Sequence, residues 1–304
     1  MLRFLPRPIR ALVMFLLFVA NLVLWAIPVY VMILVKLVTP AGRGRDRVSI
    51  IMSGLAQRWA RTNVLIGDFM LGTQWDIEGV EKLDMRGQYL VTSNHQTWND
   101  IYVLMKAFAR DAPFFKFFLK KQLIWVPILG PVWWALDYPF MQRHSREAIA
   151  ANPALATQDL EATKRACTKY GDQPVMILNF LEGTRFTRAK HDAQESPYRH
   201  LLRPKSGGLV FALQAMGGKL ASVLDVTIVY PEGACGFWQF FEGRMKRVIV
   251  RVREIRVPED FLQGDYAGDA EFRKRVQAWV SEIWAEKDRF IDGLQAQARR
   301  EAVA

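Results

Sequence analysis

The sequence has few cysteines, and it lacks the motifs of several common enzyme classes. Two cysteines among 304 residues allow neither a disulfide-rich scaffold nor a cysteine-based zinc ribbon. No Gly-x-Ser-x-Gly segment is present, which excludes the usual nucleophile elbow of serine hydrolases. Residues 217–220 lack the earlier glycine and the serine or threonine of a P-loop, and residues 42–44 lack the third glycine of a dinucleotide-binding loop.

Acidic residues are almost missing from the first fifth of the chain. Residues 1–61 contain nine Lys and Arg residues and one acid, Asp46, although the whole chain has 41 basic and 30 acidic residues. The basic residues flank an apolar run over residues 11–35, in which Asn21 is the one strongly polar residue. This run exceeds the roughly 20 residues that a helix needs to cross a bilayer and the roughly 7–15 of a signal peptide. The pattern predicts a retained membrane anchor.

The arrangement of this anchor stays open in the sequence. Both flanks are basic, so the positive-inside rule gives no orientation. One possibility is a single crossing, and the other is a hairpin bent near Pro28 that enters and leaves on the same face. Residues 48–71 are amphipathic and suit either the membrane interface or the underside of a globular domain. The basic residues favour anionic lipid, and nucleic acid is disfavoured because the positive charge accompanies the anchor.

Beyond residue 75 the pattern alternates between strands and helices. Strands are predicted over residues 89–93, 174–180, 223–230 and 246–257, and helices over residues 100–109, 159–170, 207–216 and from Asp269 onward. This alternation predicts an α/β domain. We expect anchoring and interfacial helices over residues 1–74, a domain over residues 75–257, and a C-terminal amphipathic helix and tail over residues 258–304.

One histidine stands at the carboxyl end of a predicted strand, where α/β domains gather their functional groups. His95 follows the strand that ends at Ser93, and Asp100 comes five residues later. A turn between them would let the carboxylate fix the imidazole tautomer and leave the other ring nitrogen free to take a proton. Such a pair also arises by chance, or as a cap on the next helix. His191 and His200 lie in polar segments and are predicted to be solvated.

Two further groups of residues suit an anionic lipid. Residues 182–185 (Glu-Gly-Thr-Arg) directly follow the second buried strand. There Gly183 permits a close backbone approach, and Arg185 offers a planar set of donors for phosphate. Lys120, Lys121 and Arg143 lie among several aromatic residues, as expected of a site for a phosphate head and its chain. A surface turn and ordinary core packing are the alternative interpretations.

In this order the motifs resemble those of the 1-acylglycerol-3-phosphate acyltransferase (PlsC-like) family, over about residues 75–235. The family's first block, Asn-His-x4-Asp, matches Asn94, His95 and Asp100, and its third block matches residues 182–185. The second block resembles residues 120–130 and 140–143, with Gln142 where the family usually has Asp. The fourth is matched loosely at residues 226–231. Residues 202–208 are similar to the lysocardiolipin-type branch, and the whole chain to the bacterial YihG-type acyltransferases.

This resemblance implies an α/β acyltransferase domain, with a mixed sheet flanked by helices, behind an N-terminal membrane-anchoring helical segment. It implies transfer of a fatty acyl group from acyl-CoA or acyl carrier protein to the glycerol hydroxyl of a lysophospholipid, first of all 1-acylglycerol-3-phosphate. Neither an acyl-enzyme nor a bound cofactor or metal is expected. The implied roles are general base for His95, orienting carboxylate for Asp100, phosphate binding for Lys120, Lys121, Arg143 and Arg185, and site support for Asn94, Glu182, Gly183 and Thr184.

Several alternatives remain at this point. The acceptor could be lysocardiolipin, lysophosphatidylglycerol or another lysophospholipid, and the protein could be an inactive membrane lipid-binding protein or a lipid hydrolase. The partners expected are the lysophospholipid, the acyl thioester, acyl carrier protein and anionic membrane lipid. The expected location is the bacterial inner membrane, with the catalytic domain facing the cytoplasm. We also expect backbone N–H groups near His95 or Gly183 to stabilise the oxyanion.

Overall fold

Two long helices open the chain. The computed structural model describes residues 5–141 and 165–303, except residues 166, 169, 172, 217–219, 221 and 267. Helix α1 (Arg7–Val38) continues through Pro28 without interruption, and the chain turns back only before α2 (Arg43–Met70). The hairpin bent near Pro28 is therefore wrong. Within the described residues, α1 is the one helix whose length and composition would suffice to cross a membrane.

Helices α1 and α2 form an antiparallel pair. Asn21 Nδ2 donates to Asn63 Oδ1 at 3.0 Å, and Ile33 of α1 shares an apolar cluster with Met52 of α2. The other side of α2 packs on the globular part, where Gln57 Nε2 donates to the carbonyl oxygen of Ala109 at 2.7 Å. Of the two placements open for residues 48–71, the structure therefore shows packing under the domain.

A six-stranded mixed sheet forms the centre of the domain. The described residues form eight strands, six of them in this sheet: β1 (Gln74–Glu78), β2 (Gln88–Ser93), β3 (Phe115–Phe117), β4 (Leu119–Lys120), β5 (Phe140–Met141), β6 (Val175–Phe180), β7 (Ser222–Val229) and β8 (Arg247–Ile255). The main sheet has the order β1-β8-β7-β2-β6-β3, while β4 and β5 form a separate pair. Only the β7–β8 pairing within the main sheet is antiparallel. Every residue of the central strand β2 is buried.

Helices cover both faces of this sheet. They are α3 (Asp100–Phe108), α4 (Leu129–Ala135), α5 (Arg188–Ala193), α6 (Gly207–Met216), α7 (Phe237–Phe241) and α8 (Ala270–Val303), with 3₁₀ turns at Lys121–Trp125 and Glu259–Leu262. Residues of α3, α7 and the start of α1 share one apolar core, and residues of α6 and α8 share the core on the other face. Asp269 caps α8, because its Oδ1 accepts the N–H groups of Glu271 and Phe272.

The fold class predicted from the sequence is confirmed. The predicted strands correspond to β2, β6, β7 and β8, and the predicted helices to α3, α6 and α8. The helix predicted over residues 159–170 lies mostly outside the described residues. Helix α8 packs into the core of the sheet, where Trp284 is fully buried and its indole N–H donates to the carbonyl oxygen of Leu202 at 3.0 Å.

Candidate active site

The turn between β2 and α3 brings His95 and Asp100 together. His95 Nδ1 lies 2.7 Å from Asp100 Oδ2. The same carboxylate oxygen accepts the backbone N–H groups of Gln96 at 2.6 Å and Thr97 at 2.9 Å. Asp100 is the first residue of α3 and is fully buried. The carboxylate thus holds both the imidazole and the turn that carries it, as the spacing of the two residues predicts.

The imidazole is fixed on a second side by an aromatic ring. His95 stacks on Phe180, the last residue of β6, with ring centroids 4.0 Å apart and planes 16° apart. A carboxylate that hydrogen-bonds Nδ1 requires the proton on that nitrogen, so Nε2 of the neutral ring carries the lone pair. The side chain of His95 remains 16% exposed. The geometry fixes the orientation of the ring, and no hydrogen bond among the described residues engages Nε2.

The other oxygen of Asp100 is held by a residue that the sequence analysis missed. Tyr230 donates its hydroxyl to Asp100 Oδ1 at 2.7 Å. Burial, with Asp100 as a further cause, raises the pKa of Tyr230 well above its usual value, so the phenol stays a donor. Tyr230 directly follows β7, which is the neighbour of β2 in the sheet. The sequence signal for this contact was that Tyr230 ends one predicted strand and Asp100 closely follows another, since the ends of neighbouring parallel strands meet at one edge of a sheet.

Glu182 supports the backbone of the turn rather than a cation. Its side chain is buried, and its two carboxylate oxygens accept the N–H of His95 at 2.9 Å and the N–H of Leu202 at 3.2 Å. Burial raises the pKa of Glu182 to about 7, although the two N–H donors act in the opposite direction. Glu182 therefore ties the histidine to the segment around residue 202.

Asn94 and Gly183 complete this framework. Asn94 Nδ2 donates to the carbonyl oxygen of Ile228, and Asn94 Oδ1 accepts the N–H of the same residue, each at 2.9 Å. The side chain thus extends the pairing of β2 with β7. Gly183 has a φ of +67°, which favours glycine. Its N–H donates to the carbonyl oxygen of Phe180 at 2.9 Å. The N–H groups of His95 and Gly183 are both engaged, so an oxyanion donor near them would have to come from a neighbouring residue, and that expectation stays a prediction.

Two cations lie in the segment after β6. The guanidinium of Arg185 lies over the ring of Trp98, 4.5 Å from its centroid, and no carboxylate of the described chain pairs with it. Lys190 Nζ donates to Thr184 Oγ1 at 2.7 Å and to the carbonyl oxygen of Arg185 at 3.0 Å. Lys190 was missed by the sequence analysis, although it lies in α5, the short helix that follows the Glu-Gly-Thr-Arg motif. Trp98 lies between His95 and Asp100, so Arg185 reaches the same turn.

The remaining predicted cations are not brought to this turn by any described contact. Lys120 ends β4, Lys121 begins the following 3₁₀ turn, and both are exposed. Strand β4 pairs with β5 so that Lys120 lies opposite Met141, two positions before Arg143. Arg143 and Gln142 lie outside the described residues. Phosphate binding by Lys120, Lys121 and Arg143 stays a prediction.

Comparisons with known proteins point to one family. The sequence profile of a family described as Acyltransferase matches residues 74–235. An uncharacterized acyltransferase of Saccharomyces cerevisiae is 26% identical over 236 residues, which are 67% of this chain and 58% of the yeast protein. A 1-acyl-sn-glycerol-3-phosphate acyltransferase of Pseudomonas aeruginosa is 24% identical over 238 residues, 76% of this chain and 77% of that protein.

A solved structure has the same fold. The crystal structure of the 1-acyl-sn-glycerophosphate acyltransferase PlsC from Thermotoga maritima matches with a TM-score of 0.51 at 18% identity. The match covers 92% of this chain and 98% of the other. This chain spans little more than half the length of the yeast relative.

Proposed function

The chain belongs to the acyltransferase family, and we propose that it moves a fatty acyl group from acyl-CoA or acyl carrier protein to the free glycerol hydroxyl of a lysophospholipid. The proposed acceptor is 1-acylglycerol-3-phosphate, and the product is then phosphatidic acid. The observation that carries this proposal is the His95–Asp100 pair, joined at 2.7 Å, whose second imidazole nitrogen is left free to act as a base. The name of the Pseudomonas aeruginosa relative supports the choice of acceptor.

The proposed reaction needs no covalent enzyme intermediate. The acceptor hydroxyl gives its proton to His95 Nε2 while its oxygen attacks the carbonyl carbon of the thioester, forming the new C–O bond. Collapse of the tetrahedral intermediate breaks the C–S bond, and the leaving thiolate takes the proton back from His95. Asp100 stabilises the transient imidazolium, as carboxylates do in related triads. A general base of this kind contributes about 10²–10⁴-fold to the rate.

Arg185 and Lys190 are the cations that we assign to the acceptor phosphate. A guanidinium can bind two phosphate oxygens at once, and an ammonium adds a point charge beside it. The stacking of Arg185 on Trp98 at 4.5 Å holds this guanidinium next to the turn that carries His95. The phosphate and the reacting hydroxyl of a lysophosphatidic acid are separated by the glycerol backbone alone, so one small site serves both.

Contacts at both ends of α1 determine how we place the protein on a membrane. Near its start, the guanidinium of Arg10 donates to the carbonyl oxygen of Glu242, directly after α7. Near its end, Lys36 Nζ donates to Asp137 Oδ2 and to the carbonyl oxygen of Ala135, each at 2.6 Å. These two anchor points are 26 residues apart in the helix, or about 39 Å.

A helix that is fixed to one globular domain at both ends cannot pass through the bilayer while the domain stays outside. We therefore propose that α1 lies along the surface of one leaflet, with its exposed apolar side in the lipid and the basic residues of α2 near anionic head groups. The proposed location is the cytoplasmic face of a bacterial inner membrane, because acyl thioesters are made in the cytoplasm.

An acceptor screen tests the proposed function. The full chain, bound to vesicles, receives one labelled acyl-CoA with lysophosphatidic acid, lysophosphatidylglycerol, lysocardiolipin or no acceptor, and both thiol release and lipid mass are measured. We expect acceptor-dependent thiol release with lysophosphatidic acid, which His95→Ala nearly abolishes and His200→Ala leaves unchanged. Release without acceptor would show a hydrolase, and binding without release would show a lipid-binding protein.

A further inference from the structure

The short helix α7 carries two large aromatic side chains that the protein does not cover. Phe237 is 46% exposed and Trp238 is 56% exposed. The next two aromatic residues of the helix, Phe240 and Phe241, are buried and hold it in place. Phe241 contacts Phe18 of α1 with ring centroids 5.5 Å apart. We call the exposed pair, Phe237 and Trp238, the aromatic ledge.

The aromatic ledge continues the apolar side of α1. Trp238 lies against Phe15 of α1, with ring centroids 5.4 Å apart. From there, exposed apolar residues follow one side of α1 at helical spacing: Leu12, Leu16, Val23, Ile27, Val31 and Leu34. A continuous exposed apolar surface of this length marks an interaction site rather than scattered surface residues.

The aromatic ledge is also joined to the turn that carries the catalytic pair. The carbonyl oxygen of Cys235, two residues before Phe237, accepts the hydroxyl of Thr97 and the side-chain amide of Asn99, each at 2.8 Å. Thr97 and Asn99 both lie between His95 and Asp100. Trp98, between them, is 61% exposed. These hydrogen bonds therefore fix the position of the ledge relative to the catalytic turn.

The exposed tryptophan of the ledge, its contact with α1 and a small excess of basic residues nearby favour a lipid surface over an apolar protein partner. Arg244 forms an ion pair with Glu242, while Lys246 after α7 and Arg7 at the start of α1 are exposed basic residues, against the exposed acid Glu232. Tryptophan is enriched at the level of lipid head groups, where its ring is half in apolar and half in polar surroundings. Basic residues beside it are attracted to anionic lipid.

We propose that the aromatic ledge enters the head-group region of the bilayer and holds the catalytic turn at the level where the hydroxyl of a membrane-embedded lysophospholipid lies. This inference rests on the proposed acyltransferase function for its purpose. The ledge acts on delivery of the acceptor from the membrane and takes no part in proton transfer. Its loss should therefore affect an acceptor embedded in lipid and spare one that arrives from water.

A kinetic comparison tests this distinction. Phe237→Ser/Trp238→Ser and the wild type are bound to vesicles of phosphatidylethanolamine and phosphatidylglycerol. Each acts on a long-chain lysophosphatidic acid in the vesicles and on a hexanoyl analogue that stays monomeric in water. We expect kcat/KM to fall at least tenfold for the long-chain acceptor and to stay within twofold for the hexanoyl one. Phe290→Ser, a 42% exposed position on α8, should change neither value. Equal losses for both acceptors, or no loss, would overturn the proposal.

A second measurement does not depend on activity. Trp238→Cys is labelled with an environment-sensitive dye, and because Cys167 and Cys235 are buried, the label marks the ledge. On vesicles containing lipids with a quencher near the head group, we expect a blue shift and strong quenching. The same label at Phe290→Cys should show neither. An unquenched label at position 238 would overturn the proposal, and a quenched label with no turnover on either acceptor would instead count against the proposed function.

Discussion

The hydroxyl of Tyr230 donates to Asp100 Oδ1 at 2.7 Å, while Asp100 Oδ2 holds the imidazole of His95 at the same distance. The phenol therefore fixes the carboxylate from the side opposite the histidine. It is buried and acts through this carboxylate, so it is a positioning residue. It joins the end of β7 to the start of α3 at the point where the chemistry is proposed.

Tyr230→Phe should lower kcat about tenfold or more and leave both KM values within twofold. A hydrogen bond to a charged group contributes about 1.5–3 kcal/mol, and its loss lets the carboxylate, and with it the imidazole, move. Steady-state kinetics with each substrate varied would measure this. In an Asp100→Asn background the same change should cost almost nothing further, because the two residues act through one contact.

Tyr138→Phe is the matched control for that experiment. Tyr138 is also a buried tyrosine, and its hydroxyl donates to the carbonyl oxygen of Phe115 at 3.1 Å, away from the catalytic turn. It should lower the free energy of unfolding by about 1 kcal/mol without changing kcat. Equal losses of kcat in the two variants would show that Tyr230 acts through stability alone.

Glu182→Gln should change the pH dependence of stability. Burial raises the pKa of Glu182 to about 7 from an ordinary 4.5, so the folded protein retains a proton that the unfolded chain releases between these values. The free energy of unfolding of the wild type should therefore fall, relative to that of Glu182→Gln, by about 2–3 kcal/mol as the pH rises from 4.5 to 7.

Urea denaturation of both proteins at pH 5, 6, 7 and 8 would measure this difference. Comparing the two curves removes the contribution of every other titrating group. Glu282→Gln, at an exposed position on α8, should give a curve parallel to that of the wild type. Parallel curves for Glu182→Gln would mean that the carboxylate is ionised throughout and that its two backbone donors outweigh its burial.

Arg185→Ala should raise the acceptor KM about tenfold or more and leave the acyl-CoA KM nearly unchanged. The guanidinium is assigned to the acceptor phosphate, and a charged hydrogen bond contributes about 1.5–3 kcal/mol. Arg188→Ala is the control, because Arg188 is 76% exposed in the following helix and pairs with Asp192. Equal changes in both KM values would rule out a specific role in binding the acceptor.

A buried ion pair attaches α8 to the sheet. Lys287 Nζ lies 2.6 Å from Asp225 Oδ1, and both side chains are completely buried. Lys287→Met should lower the free energy of unfolding by about 3–5 kcal/mol, because it leaves a buried carboxylate with fewer partners. Lys274→Met, on the exposed side of α8, should cost less than about 0.5 kcal/mol.

The pairing itself is tested in an Asp225→Asn background, by urea denaturation of the four combinations. There Lys287→Met should cost clearly less than it does in the wild type. The same cost in both backgrounds would mean that the lysine acts through its hydrogen bond to the carbonyl oxygen of Val226, at 2.8 Å, and through packing, and not through the carboxylate.

Some of these contacts join residues close together in the sequence and were predicted from their spacing. The others join residues far apart in the sequence and were not predicted. The contact of His95 with Asp100 spans five residues, so one turn after one strand is enough to predict it. The contacts of Asp100 with Tyr230 and of His95 with Glu182 depend on which strands are neighbours in the sheet. The local pattern of apolar and polar residues predicts each strand but not the order of the strands. His191 and His200 show the same limit. Predicted to be solvated, they remain partly exposed, at 12% and 17%, but each also bonds a more distant partner, the carbonyl oxygen of Tyr198 and the carboxylate of Asp292.

The path of α1 was left open for a related reason. A helix that crosses a bilayer and a helix that lies along it can have the same length and the same apolar character, because the apolar side chains of both contact lipid. The sequence therefore does not distinguish them. What separates them is where the ends are attached, and those contacts, Arg10 to the end of α7 and Lys36 to Asp137, join residues about a hundred or more positions apart.

Labelling the two ends of α1 decides between these arrangements. Arg7→Cys and Ala41→Cys place exposed thiols at either end, and the native cysteines are buried. The protein is bound to the outside of sealed vesicles, or is studied in right-side-out and inverted membranes. A maleimide that cannot cross lipid should then label both thiols from the same side of the membrane. Labelling from opposite sides would show that α1 crosses the bilayer. In that case the attachments of Arg10 and Lys36 could not both persist, since one domain cannot contact both ends of a helix across about 30 Å of hydrocarbon.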